Sequence, residues 1–192
     1  PNMKAIPKGD TFLNGLSSLD ETIAKFAYLD TLAADTTSTT LPLPINGPIY
    51  SVLDVYKPLI TRKKITLAVD IEGEHSAVID ETGLRQIIGS LLKNAVKFTD
   101  IGGRIALNVT KHDDTIIIKV EDNGVGIAPK KLDELFKPFS RATDTQAFDY
   151  EGIGIDLYLD KLITNHWKGE INISSREKHG TTVTVSLPAK DA

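Results

Sequence analysis

The chain has 192 residues, a net charge of −4 and 41% apolar residues. That is enough for one domain with a real core and too acidic for a large nucleic-acid footprint. Cysteine is absent, which excludes disulfides, thiolate chemistry and Cys-based metal sites. The four histidines, His75, His112, His166 and His179, lie far apart without ligand spacing. No apolar run reaches spanning length and nothing resembles a signal peptide. The expectation is a cytoplasmic fragment without membrane contact, starting at Pro1, with the membrane anchoring of its parent left open.

Residues 1–10 read as a lead-in. Phe12, Leu16, Leu19, Ile23 and Phe26 then recur at alternating spacings of four and three, a narrow helical seam of about two heptads. Two readings stand: an amphipathic helix packed on its own domain, or the end of a dimerising helix. Residues 35–48 hold threonines and three prolines and predict an extended linker. A helix is predicted over about 49–61, with Val52, Val55, Tyr56 and Leu59 on one face and Pro58 bending it or ending it early. Lys64 to Ile71 alternates as a half-buried strand, and Ala77 to Ile79 is a short one.

Residues 81–98 predict a helix with Leu84, Ile87, Ile88, Leu91, Ala95 and Phe98 as its core stripe. Gln86, Ser90, Asn94 and Lys97 share another face, which reads either as solvated or as a metal–phosphate surface. For the second reading, an amide oxygen can ligate Mg²⁺ and an ammonium can offset phosphate charge. Strands at Arg104–Lys111 and Thr115–Val120 form a hairpin that empties into Glu121-Asp122-Asn123-Gly124-Val125-Gly126-Ile127. A carboxylate at a strand end can accept from an exocyclic amine, and the two glycines permit positive φ and a close backbone approach.

A short helix at 129–135 starts on a proline. Phe136-Lys137-Pro138-Phe139 follows, then a polar, aperiodic stretch at 140–151 that suits a mobile lid. Gly152-Ile153-Gly154 opens a helix to about Asn165, with Ile155, Leu159, Leu162 and Ile163 buried. A glycine-rich loop at a helix start is a ready anion site. Strands at Glu170–Ser174 and Thr181–Leu187 close the chain.

In this order the pieces resemble the catalytic and ATP-binding domain of sensor histidine kinases, in the superfamily of gyrase- and Hsp90-type ATPases. Leu91-Leu92-Lys93-Asn94-Ala95-Val96-Lys97-Phe98-Thr99 is similar to the N box of that family and Asp122–Gly126 to its G1 box. Phe136–Phe139 resembles the F box, Gly152–Gly154 most of the G2 box, and Gly180-Thr181-Thr182 a last glycine motif. The resemblance runs over about 49–188 and implies a two-layer α/β sandwich. Its mixed sheet has about five strands, with three helices on one face and the N-terminal helix added. The implied organisation is the end of a dimerisation helix at 1–34, a linker at 35–48 and the catalytic domain at 49–192.

The resemblance also implies ATP and Mg²⁺ as ligands. Asp122 would receive the adenine amine while Gly124 and Gly126 let the backbone approach. Asn94 would coordinate Mg²⁺. Lys97 and Arg141 would contact phosphate, and Gly152 and Gly154 would present backbone donors to it. Thr182 would bond near adenine, and Phe98, Ile127, Phe139 and Ile153 would complete the nucleotide contacts. Implied partners are a second copy of the parent through the N-terminal helix and a response regulator.

Two departures matter. Ser90 stands where the family often carries Asn or an acid, and a serine is no general base at neutral pH without help. Asp156 stands where the G2 box expects a third glycine. It suits the first turn of a helix yet would repel a nearby triphosphate; facing away and weakening nucleotide binding are both open readings. The leading expectation is a histidine-kinase catalytic fragment without its acceptor histidine. The competing one is a degenerate kinase-like module that signals by docking. A sigma-factor-binding kinase of the same superfamily lacks support, because the N-terminal helix and linker fit the sensor-kinase arrangement better.

Overall fold

The computed structural model describes residues 20, 23–34, 41–140 and 154–190. Five strands build one mixed sheet in the order β2-β4-β5-β7-β6, where β2 is Thr66–Ile71, β4 Arg104–His112, β5 Thr115–Asp122, β6 Glu170–Arg176 and β7 Gly180–Pro188. Only the β2–β4 pair is parallel. Register follows the hydrophobic alternation, because a one-residue slip would turn every apolar side chain outward. Val109, Ile118, Val185 and Ile171 form one row across the sheet, and Leu107, Val120, Val183 and Ile173 the next. The opposite face carries residues such as Asn108, Lys119, Thr184 and Asn172.

Helices α2 (Asn46–Arg62), α3 (Glu81–Phe98) and α5 (Asp156–His166) bury their apolar stripes on the first face. Helix α3 is central, packing against α2, α5 and β5. Its start is fixed by Asp80, whose side chain accepts from the Gly83 amide at 2.6 Å. Its end is fixed by Lys63, whose ammonium donates to the carbonyls of Val96 and Thr99 at 2.7 and 2.6 Å. A cation there meets the unpaired carbonyls and the negative end of the helix dipole.

Several expectations change. The 35–48 stretch, read as linker, contains β1 (Leu43–Pro44), which pairs with β3 (Ser76–Ala77), and the first turn of α2. Ile45 is fully buried there. Pro58 does not end α2, since the carbonyl it leaves unbonded belongs to exposed Asp54, where water serves. The buried face of α2 is Ile49, Val52, Leu53 and Ile60, while Val55 is 73% exposed. On α5 the buried residues include Asp160, and Leu162 turns outward. The short helix α4 covers Pro129–Leu132.

A further helix, α1, covers 23–34. Lys25, Tyr28 and Leu32 share its buried face, and the Tyr28 hydroxyl donates to Asp80 at 2.6 Å. Gly83 makes this fit possible, because a β-carbon there would collide with that hydroxyl. Trp167 donates to the same oxygen at 3.3 Å.

Candidate nucleotide site

A cavity of about 150 Å³ opens between α3 and the inner face of the sheet at the C-terminal end of β5. The sheet supplies Val120, Asp122, Thr181, Val183 and Ile173, and α3 supplies Leu91, Asn94, Ala95, Lys97 and Phe98. Asn94 and Lys97 therefore stand opposite Asp122 across one space. The polar face of α3 is not simply solvated: Asn94 and Lys97 line the cavity, and Ser90 is buried in the protein.

Asp122 is the last residue of β5 and points to the inner face, in one row with Ile105 and Thr181. Its Oδ1 accepts from the amides of Gly124 at 2.8 Å and Thr181 at 3.3 Å. Among the described residues Oδ2 has no donor, which leaves an acceptor at the cavity wall. Burial pushes the Asp122 carboxyl above its usual range, against the two amides, which pull it down.

The glycines after Asp122 shape the loop by packing. A β-carbon at Gly124 would strike the Phe98 carbonyl, and one at Gly126 the Arg176 carbonyl. Gly126 also sits at φ +64, where glycine carries no penalty. The amide of Ile127 donates to Ser175 Oγ at 2.9 Å, and that hydroxyl donates to the Gly180 carbonyl at 2.8 Å. The loop is thus clamped between the end of α3 and the β6–β7 turn.

Of the other expected residues, Ile127 and Gly154 line the cavity. Phe139 does not: it is 68% exposed, with φ +64. Thr182 pairs with Glu121 and Ser174 on the outer face of the sheet, so Thr181 is the threonine that lines the cavity. The alternation through Val183, Val185 and Leu187 carries that signal, since Thr181 is in phase with them. Leu135 and Leu157 also line the cavity and were not expected. Arg141, Gly152, Ile153 and most of the 140–151 stretch lie outside the described residues.

Asp156 faces the cavity as well, but it is paired. Its Oδ1 lies 3.2 Å from Lys25 Nζ and its Oδ2 3.8 Å from Lys93 Nζ. Lys25 also reaches Asp160 Oδ1 at 3.2 Å. Burial raises the Asp160 carboxyl to about 6, against the pull of Lys25. Burial draws the Lys25 ammonium down, but Asp160 and Asp156 outweigh it and its pKa is raised. Ser90 Oγ and Asp160 Oδ2 are both buried without a hydrogen-bond partner among the described residues. The helix periodicity offered one hint of this cluster, a lysine in phase with Tyr28 and Leu32 on the buried face of α1.

Residues 79–191 match the family described as histidine kinase-, DNA gyrase B-, and HSP90-like ATPase. The chain belongs to this family. The autoinducer 2 sensor kinase/phosphatase LuxQ of Vibrio harveyi is 30% identical over 157 residues, covering 78% of this chain and 18% of LuxQ. Sensor histidine kinase RcsC of Escherichia coli strain K12 is 35% identical over 135 residues, covering 69% of this chain and 14% of RcsC. The chain therefore spans less than a fifth of either relative. The solved structure of the mycobacterial sensor histidine kinase MprB shares the fold, with a TM-score of 0.68 at 22% identity over 79% of this chain and 99% of MprB. The chain carries the ATP-binding catalytic domain of sensor histidine kinases, with the α/β sandwich expected of it. These relatives lend nothing to the degenerate-module reading.

Proposed function

We propose that this ATPase-family domain binds Mg²⁺-ATP in the cavity and presents the γ-phosphate to a histidine outside residues 1–192, within a two-component sensor kinase. The observation that carries this is the convergence of Asp122, Asn94 and Lys97, from a strand end and a helix, on one cavity. Adenine enters the apolar end against Val120, Ile173 and Val183, and its amine donates to Asp122 Oδ2. The phosphates run towards α3 and α5, where Lys97 offsets charge and Gly154 lies at the rim. Arg141, Gly152 and Ile153 keep the roles implied by resemblance, and Thr181 takes the place of Thr182.

The donor set fits Mg²⁺ held mainly by the nucleotide. The described residues contain no His/Cys/Asp/Glu cluster suited to a metal, while the Asn94 amide supplies a hard oxygen. When bound, the ion would neutralise phosphate charge. Phosphoryl transfer then asks for positioning and charge compensation more than covalent work. Ser90, buried in the α3–α5 seam, offers no base to activate water, which favours transfer to histidine over hydrolysis. His75, His112, His166 and His179 all lie off α1, consistent with an acceptor elsewhere. Calorimetry tests the site: Asn94→Asp should weaken Mg²⁺-ATP binding by tenfold or more, roughly 1.4 kcal/mol, and unchanged affinity would contradict it.

Homodimerisation of the parent through α1 has its own support. Ile23 and Phe26, the described part of the 4–3 seam, are 63% and 48% exposed, away from the face that packs on the domain. Phe26→Asp should lower self-association in sedimentation experiments on the parent. A response regulator is the partner that a two-component kinase implies. No helix among the described residues is long and apolar enough to cross a membrane.

A further inference from the structure

The ion cluster at the start of α5 joins two parts of the chain that the sequence keeps 131 residues apart. Lys25, on α1, is buried and bonded to both Asp156 and Asp160. Asp156 in turn forms part of the cavity wall, beside Asn94 and Lys93. The contact is one piece of a specific seat for α1. Tyr28 bonds Asp80 and Trp167 one turn further on, in a slot that exists because Gly83 lacks a side chain.

With Lys25 in place, the charges of Lys25 and Lys93 balance those of Asp156 and Asp160. Without it, Lys93 at 3.8 Å is the counter-charge left to Asp156 among the described residues, and the under-compensated carboxylate faces the space where the reading above puts a triphosphate. Like charges a few ångströms apart in a partly buried site repel strongly, and a buried carboxylate that loses its partner is strongly disfavoured. We propose that Lys25 compensates Asp156 so that the cavity accepts a triphosphate, which couples the seating of α1 to nucleotide binding. Lys25 is thus a positioning residue outside the catalytic sandwich, acting through Asp156. Coupling between two binding events is reciprocal, so nucleotide also holds α1 in its seat. The inference rests on reading the cavity as the ATP site.

The test uses the full 192-residue chain, with Mg²⁺-ATP affinity measured by calorimetry and folding checked by thermal melting. Lys25→Met should weaken binding about tenfold, Lys25→Arg should bind within about twofold of the parent, and Asp156→Asn added to Lys25→Met should recover most of the loss. Asp156→Asn alone should bind at least as tightly as the parent, a readout that stands even if Lys25→Met fails to fold. Hydrogen exchange at residues 26–34 should slow when a non-hydrolysable ATP analogue saturates the parent chain, and this slowing should vanish in Lys25→Met. Equal affinity of Lys25→Met and parent, weaker binding by Asp156→Asn, or exchange that ignores the analogue would each overturn the proposal. A parent chain that does not bind Mg²⁺-ATP would instead overturn the site reading on which the proposal rests.

Discussion

Two carboxylates line the same cavity and are held in opposite ways. Asp122 is fixed by backbone amides, from the glycine loop that follows it and from the neighbouring strand. Asp156 is held by the ammonium groups of Lys25 and Lys93, and Lys25 belongs to a separate helix. The sheet cannot release Asp122 without breaking its register. An ion pair can release Asp156 when one long side chain withdraws. The end assigned to adenine is therefore rigid by construction, and the end assigned to phosphate is adjustable from α1.

The rigid end breaks most severely at its loop. Gly126→Val places a branched side chain at positive φ and into the Arg176 carbonyl. Destabilisation of about 2–4 kcal/mol is expected, of the size that backbone strain and overpacking produce. Thermal melting checks it, with a fall of several degrees at least.

The adjustable end has a pH signature. Burial raises the Asp160 carboxyl in the folded chain to about 6, from the ordinary carboxylate range. The folded state thus holds a proton that the unfolded state has released across this window. Its contribution to stability is full below about pH 4 and lost as pH rises through about 6. Asp160→Asn should remove this slope, worth on the order of 2 kcal/mol. Denaturant unfolding at pH 4 and pH 7 measures it, and a variant as pH-sensitive as the parent would contradict the assignment of this slope to Asp160.

Asp122→Asn sharpens the contrast from the other side. The amide oxygen can keep the Gly124 and Thr181 bonds, so the fold should hold. The cavity-facing acceptor becomes a donor, and Mg²⁺-ATP affinity should fall tenfold or more, about 1.4 kcal/mol, by calorimetry. The smallest effect belongs to Phe139. Exposed and off the cavity wall, Phe139→Ala should change stability and affinity by less than about 0.5 kcal/mol.

The sheet and α3 were legible because one rule governs them. Strict alternation in β4, β5 and β7 and the 3.6-residue stripe of α3 each bury one face, and Asp80 caps where the stripe begins. The candidate site was legible where it rides on those elements, as with Asp122 and Asn94, which line one cavity. Legibility failed where long-range packing overrode local pattern. Asp160 reads as an ordinary polar position, and only the arrival of Lys25 from α1 lets it lie buried. Val55 looks apolar and inward, but the packing of α2 on α3 selects Ile49, Val52 and Leu53. The glycine motif points to Thr182, whereas strand phase puts Thr181 on the cavity face.

In the proposed nucleotide site, Asp122 presents an acceptor to adenine. The direct measurement is calorimetric binding of Mg²⁺-ATP and Mg²⁺-GTP to the same chain. Adenine offers an amine to Asp122 Oδ2, whereas guanine offers a carbonyl oxygen, an acceptor facing an acceptor. A site built to hydrogen-bond one group rejects the analogue that leaves it unpaired. ATP should bind at least tenfold more tightly than GTP. Equal affinity for the two nucleotides would contradict it.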